Sequence, residues 1–276
     1  MTNTYAYTDG DGGTHTYFVA DSAGCQYLVL RNTELWARKV NNVISATPSA
    51  LSQQYRDTTY KEGTYEITVL LNGTSAANLE TLKGDWSDWH DTELGEGYLK
   101  RITHGGATRC LDCIPEEGTF DPDGESPVTG LITQQYIAAM PWWRDENMTT
   151  AGGTLNGGTA ANVNCGNAGD ISAWPLVMFT GACDRPRVTI GADEFQVNSS
   201  AGNNDDTITI DMRPNGTYRR SVYKQIHGTG AKSYCTITSA SKYLSLPLGT
   251  TGVSIDASSG TAGCLISYYQ YYRDLY

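Results

Sequence analysis

The chain is 276 residues long, enough for one large β domain or for two domains of ordinary size with cores of their own. It carries 19 Lys and Arg against 30 Asp and Glu, a formal net charge of -11, which argues against an electrostatic footprint on nucleic acid or an anionic membrane surface. No stretch approaches the roughly 20 apolar residues that span a bilayer. The opening MTNTYAYTDGDGGTHTYFVA has neither Lys or Arg nor a continuous apolar run, so no secretory leader is expected.

Thr, Tyr, Val and Gly are plentiful and runs of strong helix formers are scarce, which favours strands. Residues 15 to 31 read as two short β segments around a Ser-Ala-Gly turn, the outline of a hairpin. YEITVLLNG, residues 65 to 73, is a strand that closes on an Asn-Gly turn dipeptide. A helix follows from about Ser75 to His90. Leu79, Leu82, Trp86 and Trp89 recur at spacings of three and four, Ser75 is suited to the N-cap, and Gly84 inside the pattern costs about 1 kcal/mol relative to Ala. Such a helix depends on packing its Leu and Trp stripe against a sheet.

ELGEGYLKRITHGG and ATRCLDCIPEE supply two more strands, the second ended by Pro115. TFDPDGESPV, residues 119 to 128, is dense in Pro, Asp and Gly and reads as an exposed loop. GLITQQYIAAMPWW reads as a strand ending at Pro141. The polar, Gly-rich stretch between Asn147 and Gly169 suits a linker or a loosely paired edge strand, which sets expected domains of 1–146 and 147–276. In the second half WPLVMFTG, PRVTIGA, EFQVNSS, DTITIDMRP, SYCTITS, YLSLPLG, GVSIDAS and CLISYYQYY recur as short strands with turns between them, the pattern of a β-sandwich.

Groups that could carry chemistry are few. Seven cysteines (Cys25, Cys110, Cys113, Cys165, Cys183, Cys235, Cys264) are too scattered for a disulfide framework and suit small buried hydrophobes. Cys110 and Cys113 have metal-like spacing, but on a strand residues three apart face opposite ways. His15, His90, His104 and His227 fit no HExxH or other site-building pattern and are expected as surface or packing residues. Asp205, Asp206 and Asp211 could supply a glycosidase pair, yet NNDD reads as a turn and Asp211 ends the next strand, so nothing makes two of them converge. TDGDGG resembles the start of a calcium loop, but Ala20 stands where the bidentate Glu is required. No nucleotide motif is present. No catalytic residue, metal or cofactor is therefore expected. Tyrosines of the closing YYQYYRDLY could form a sugar platform, although in a terminal strand about half of them would face the core.

The order of several landmarks resembles the distal tail proteins of siphophages, above all those of phages of actinobacteria. NGTSAANLETLKGDW, LGEGYLKRI, TRCLDCIPEE and AAMPWWRDE are similar to the first domain of that family. NCGNAGDISAWPLVMFTG, TITIDMRPNGTYRRSVY with its Asp211, Arg213 and Pro214 turn, YLSLPLGTTGVSI and CLISYYQYYRDLY are similar to the second. The resemblance covers most of residues 60 to 276 and carries fold determinants, with Trp174 and the leucines in the core, rather than active-site residues. It implies a mainly β protein: an N-terminal split β-barrel of tail-tube type with one helix, and a C-terminal galectin-like β-sandwich. It further implies a structural, non-enzymatic component of the virion at the distal end of the tail, six copies closing into a ring. The tail-tube protein and baseplate hub would be its neighbours, with the tape measure and receptor-binding proteins as further contacts, and an acidic lumen would let DNA pass without adhesion. A carbohydrate-binding module of a tail tip or fibre is the alternative expectation.

Overall fold

The computed structural model of the chain describes residues 4–17, 26–33, 40–45, 54–60, 63–102, 106–122, 126–138, 140, 142–213 and 221–273. Two compact units divide it, Met1–Trp143 and Arg144–Tyr276. Both are built mainly of strands.

The first unit opens on β1 (Thr4–Thr8) and β2 (Thr14–Tyr17), paired antiparallel across the TDGDGG turn. There the Asp9 carboxylate accepts the N–H groups of Asp11 and Gly13, and Gly12 takes φ 90°, a left-handed value suited to glycine. Next come β3 (Tyr27–Thr33), β4 (Val40–Ser45), β5 (Gln54–Tyr60) and β6 (Gly63–Asn72). The hairpin expected over residues 15 to 31 is not formed: β2 pairs with β1, and β3 pairs with β6. Alternation marks a strand but not its partner, and the turn nucleated by Asp9 brings β2 to β1. The Ser-Ala-Gly segment lies outside the described residues.

Helix α1 (Ala76–Trp89) is followed by a short 3-10 turn, Thr92–Leu94. The unit continues through β7 (Gly97–Ile102), β8 (Thr108–Pro115), β9 (Thr119–Pro122) and β10 (Thr129–Ala138). The strand order is β2-β1-β7-β8-β10-β6-β3, and the terminal strands β2 and β3 touch, so the sheet curls into a nearly closed barrel. β9 corrects the loop expected over 119–128, because Thr119–Pro122 pairs with Gly130–Thr133 of β10. Its exposed position on the sheet tolerates polar side chains, and Pro122 stands at its last residue, where a missing N–H does least harm. The strand expected to end at Pro141 ends at Ala138 among the described residues.

Helix α1 forms as its spacing dictates. Ser75 Oγ accepts the Asn78 N–H at 3.1 Å while the Asn78 side chain accepts the Thr74 N–H, a reciprocal cap at the N-terminus. Leu79, Leu82 and Trp86 are buried on the side facing β6, where Ile67, Val69 and Leu71 complete the core. At the other end His90 is buried as the C-cap. Its ring stacks between Trp86 (4.3 Å) and Tyr7 (4.9 Å). Nδ1 lies 2.8 Å from the Trp86 carbonyl, which can only accept, so Nδ1 carries the proton and Nε2 accepts from the Tyr136 hydroxyl at 2.9 Å. Burial pulls the His90 pKa down to about 4, and the ring is neutral at pH 7.

β11 (Trp143–Asp145) stands at the junction. The second unit then begins with β12 (Thr149–Asn156) and β13 (Ala161–Asn167), so the stretch expected as a linker or loose edge is two fully formed strands. Both are edge strands, each paired along its whole length: β12 to β23 (Ser259–Tyr268), β13 to β22 (Gly249–Asp256). Composition hid them because their glycines are packing devices. A Cβ on Gly153 would come within 2.7 Å of Val163 Cγ2, so the bare backbone is what lets β12 approach the facing sheet.

Between them run β14 (Leu176–Thr180), β15 (Cys183–Asp184), β16 (Arg187–Ile190), β17 (Asp193–Gln196) and β18 (Ser200–Ala201). They are followed by β19 (Thr207–Asp211), β20 (Ser221–Gln225) and β21 (Lys232–Tyr234), and the short β24 (Tyr271–Tyr272) closes the series. One sheet has the order β18-β15-β23-β14-β19-β20-β21 with β12 on β23; the other is β13-β22-β16-β17. Phe179, Ile208, Ile210 and Ile266 of the first meet Val163, Val188, Phe195 and Ile255 of the second in a sandwich core. Two expected strands are reduced. SYCTITS contributes only part of β21 and a single bridge, Val197 to Ile237, and YLSLPLG a single bridge, Ala173 to Leu246. This segment buries Leu244 and Leu246 as pegs, and Pro247 has no N–H with which to extend a ladder.

Three outcomes follow from this packing. Gly153→Ala should destabilise the protein by about 1–3 kcal/mol through overpacking, while Gly166→Ala, whose Cβ would meet nothing within 4 Å, should be near neutral in urea unfolding. Gly84→Ala, exposed on α1 with open space around it, should stabilise by about 0.5–1 kcal/mol. For His90 the unfolded chain takes up the proton first, so its contribution of about 3 kcal/mol is complete above pH 6.5 and is lost as pH falls towards 4. The stability difference between wild type and His90→Gln should shrink by about that amount between pH 7 and pH 4; a pH-independent difference would contradict the assignment.

Candidate functional site

The titratable residues singled out in the sequence do not converge. Asp205 is exposed in the turn before β19. Asp206 beside it accepts the backbone N–H groups of His227, Gly202 and Asn203, which hold its carboxyl below the usual range. Asp211, at the far end of β19, is buried and paired with the Arg213 guanidinium at 2.7 Å; Pro214 lies outside the described residues. Two carboxylates at opposite ends of one strand, each occupied by donors, cannot flank a glycosidic bond.

The remaining candidates are likewise absorbed by structure. His15 stacks on Trp89 at 4.2 Å and meets the Asp9 carboxylate at 3.0 Å. Burial raises the Asp9 pKa, but the hydrogen bonds from His15 and the Gly13 N–H outweigh it and leave the carboxyl lowered. His227 is exposed, and His104 lies outside the described residues. Cys110 and Cys113 are both buried on β8 at positions of opposite parity, and burial pushes the Cys113 thiol upwards. Burial also raises Cys165 and Cys183 to about 11 and Cys264 to about 12, so these are protonated packing groups rather than nucleophiles. Among the described residues no group of three or more His, Cys, Asp or Glu is placed to hold a metal ion.

A hollow of about 650 Å³ in the first unit lies beside α1, floored by Trp86, Phe120 and Ile132. Asp88, Asp91, Glu116 and Glu117 make its rim acidic, and the Lys83 ammonium sits 4.2 Å over the Phe120 ring while pairing with Glu80. Trp86 Nε1 donates to Gln134 Oε1 at 3.1 Å, and the Gln134 amide donates to the carbonyls of Glu116 and Gln135. The floor is thus hydrogen-bonded to itself. It offers a docking concavity rather than a nucleophile with an oxyanion pocket.

Among the described residues the C-terminal tyrosines do not form a platform, and Tyr276 lies outside them. Tyr268 is buried and donates to the Gly166 carbonyl, Tyr271 is buried edge-on to Trp174, Tyr269 lies under the Arg144 guanidinium at 4.2 Å, and Tyr272 bonds Gln270. Trp174 itself is half-buried. Among the described residues of the second unit the most exposed aromatic is instead Tyr234, at 80% of its full accessibility. The sequence held a pointer to it that residue patterns passed over: residues 212 to 255 contain no Asp or Glu and six Lys or Arg, in a chain whose net charge is -11.

No family model and no curated protein matches the sequence. Solved structures do match the fold. The SPP1 Dit (gp 19.1) protein, described as a paradigm of the hub adsorption apparatus in Gram-positive infecting phages, superposes with TM-score 0.59 at 10% identity, over 97% of this chain and 99% of its own. A chain of the phage P2 baseplate in its activated conformation with Ca matches with TM-score 0.54 at 12% identity, over 96% and 98%. The same baseplate with Sr matches with TM-score 0.54 at 11% identity, over 96% and 98%. Along nearly its whole length the chain has the fold of the SPP1 Dit protein and of the P2 baseplate chain, a phage distal tail protein fold.

Proposed function

We propose that the protein is a non-enzymatic structural component of a long-tailed phage's tail tip, located in the virion where the tube ends. The observation that carries this reading is the match to a hub protein along nearly the whole of both chains, rather than over one domain of a larger molecule.

Six copies close a ring. Such a ring is a head-to-tail assembly, in which each subunit presents two different complementary surfaces. Residues 1–146 form the ring and continue the tube, and residues 147–276 form the galectin-like sandwich. The barrel meets the tail-tube protein on one side and the baseplate hub on the other, with tape measure and receptor-binding proteins as further neighbours. The ribbon of β4 and β5, whose strands pair only with each other among the described residues, supports an assembled state, because an isolated two-stranded ribbon is marginal in water.

Light scattering over a concentration series, combined with particle imaging of the purified protein, tests the proposal. A particle of about six chains with a central channel is expected; a monomer at every concentration would remove the ring from the account.

A further inference from the structure

Register orders the outward face of the larger sheet in the second unit. Leu265, Met178, Thr209, Tyr223 and Tyr234 are successive cross-strand partners on β23, β14, β19, β20 and β21. Partners across an antiparallel ladder point to the same side. The adjacent positions Phe179, Ile208 and Ile266 fill the core, so this row points away from it. A second row runs alongside: Gly263, Thr180, Thr207, Gln225 and Lys232. With strands about 4.8 Å apart, the two rows make a strip about 19 Å long, apolar and aromatic along one edge and polar along the other.

The β21 end of the strip has the features of a binding surface. Tyr234 is 80% exposed, Leu265 at the opposite end is 39% exposed, and Thr209 between them is only 5% exposed, leaving a dip between Met178 and Tyr223. The Lys232 ammonium stands 5.0 Å from the centre of the Tyr223 ring. Tyr223, Lys232, Ser233 and Tyr234 together line a hollow of about 70 Å³. β20 and β21 also belong to the acid-free segment. Of the six Lys and Arg in the acid-free residues 212 to 255, Arg213 pairs with Asp211, Lys242 with Asp193 and Lys224 with the Ser200 carbonyl, so among the described residues Lys232 is the cation that the strip itself carries.

We propose that this strip binds an extended acidic polysaccharide. Flat sugar faces stack on Tyr234, ring hydroxyls meet the Thr180, Thr207 and Gln225 row, and a carboxylate on the polymer meets Lys232 beside Tyr223. An acidic protein surface would answer the charge but has no particular use for an aromatic row bordered by hydroxyl and amide groups. The proposal rests on the carbohydrate-binding reading of the chain and is independent of the ring.

The full chain would be titrated by biolayer interferometry against alginate, neutral dextran and polyglutamate. Salt-sensitive binding to alginate is expected, weakened about tenfold by Tyr234→Ala and by Lys232→Glu. Tyr243→Ala, at an exposed tyrosine that packs on Phe195 away from the strip, should leave it unchanged, and circular dichroism would verify that each variant is folded. Equal binding of polyglutamate would overturn the proposal in favour of charge alone. Dextran binding that ignores Lys232→Glu would overturn the acidic ligand and leave carbohydrate binding standing, whereas binding to none of the sugars would remove both.

Discussion

The second unit depends on the pairing of β23. Thr261–Tyr268 bond β12 on one side, while Gly263–Ser267 bond β14 and Ser259–Gly260 bond β15 on the other, so one ten-residue strand joins most of the larger sheet. Alternation then decides everything around it. Ala262, Cys264, Ile266 and Tyr268 enter the core, while Gly263 and Leu265 look outward. A slip of one residue would exchange the two sets and expose the sandwich interior to water. The same register that builds the core therefore lays out the outer rows, which is why a surface strip can be ordered over five strands without any contact designed for it alone.

In the first unit a single helix has the corresponding part, and it works through polar groups as well as apolar ones. Trp86 both fills the core and donates to Gln134; His90 caps the helix and accepts from Tyr136 on the same strand, β10. Buried polar atoms that are each satisfied fix the helix in one position over the sheet, where an apolar contact alone would allow sliding.

Much of this was legible in the sequence, and the parts that were not share a cause. The spacing of Leu79, Leu82 and Trp86 defined the helix because a 3.6-residue period is a one-dimensional signal. Trp89 continues that spacing yet is only half-buried, since its ring stacks on His15, a partner sixty and more residues away in the chain. Partners are likewise what composition could not supply for β2, for the glycine-bearing β12, or for β9 with its Pro and Asp. Nor does the run of tyrosines near the C-terminus reveal that Arg144, Gly166 and Trp174 occupy Tyr269, Tyr268 and Tyr271. Spacing also foretold that Cys110 and Cys113, three apart on a strand, have opposite parity on β8.

The pairing of β12 with β23 has a consequence for how the chain is made. Thr149 pairs with Tyr268, so β12 cannot join its ladder partner β23 until the intervening strands β13 to β22 have been made. The strands of the path β2-β1-β7-β8-β10-β6-β3 are all made once Ala138 is reached, while those of the second unit are still being synthesised. Contacts so distant in sequence form slowly. Newly made chains should therefore pass through a stage with the strands of the first unit in place and an open sandwich, in which β12 offers only Ala151 and Leu155 as apolar side chains along a Gly-rich and Thr-rich edge.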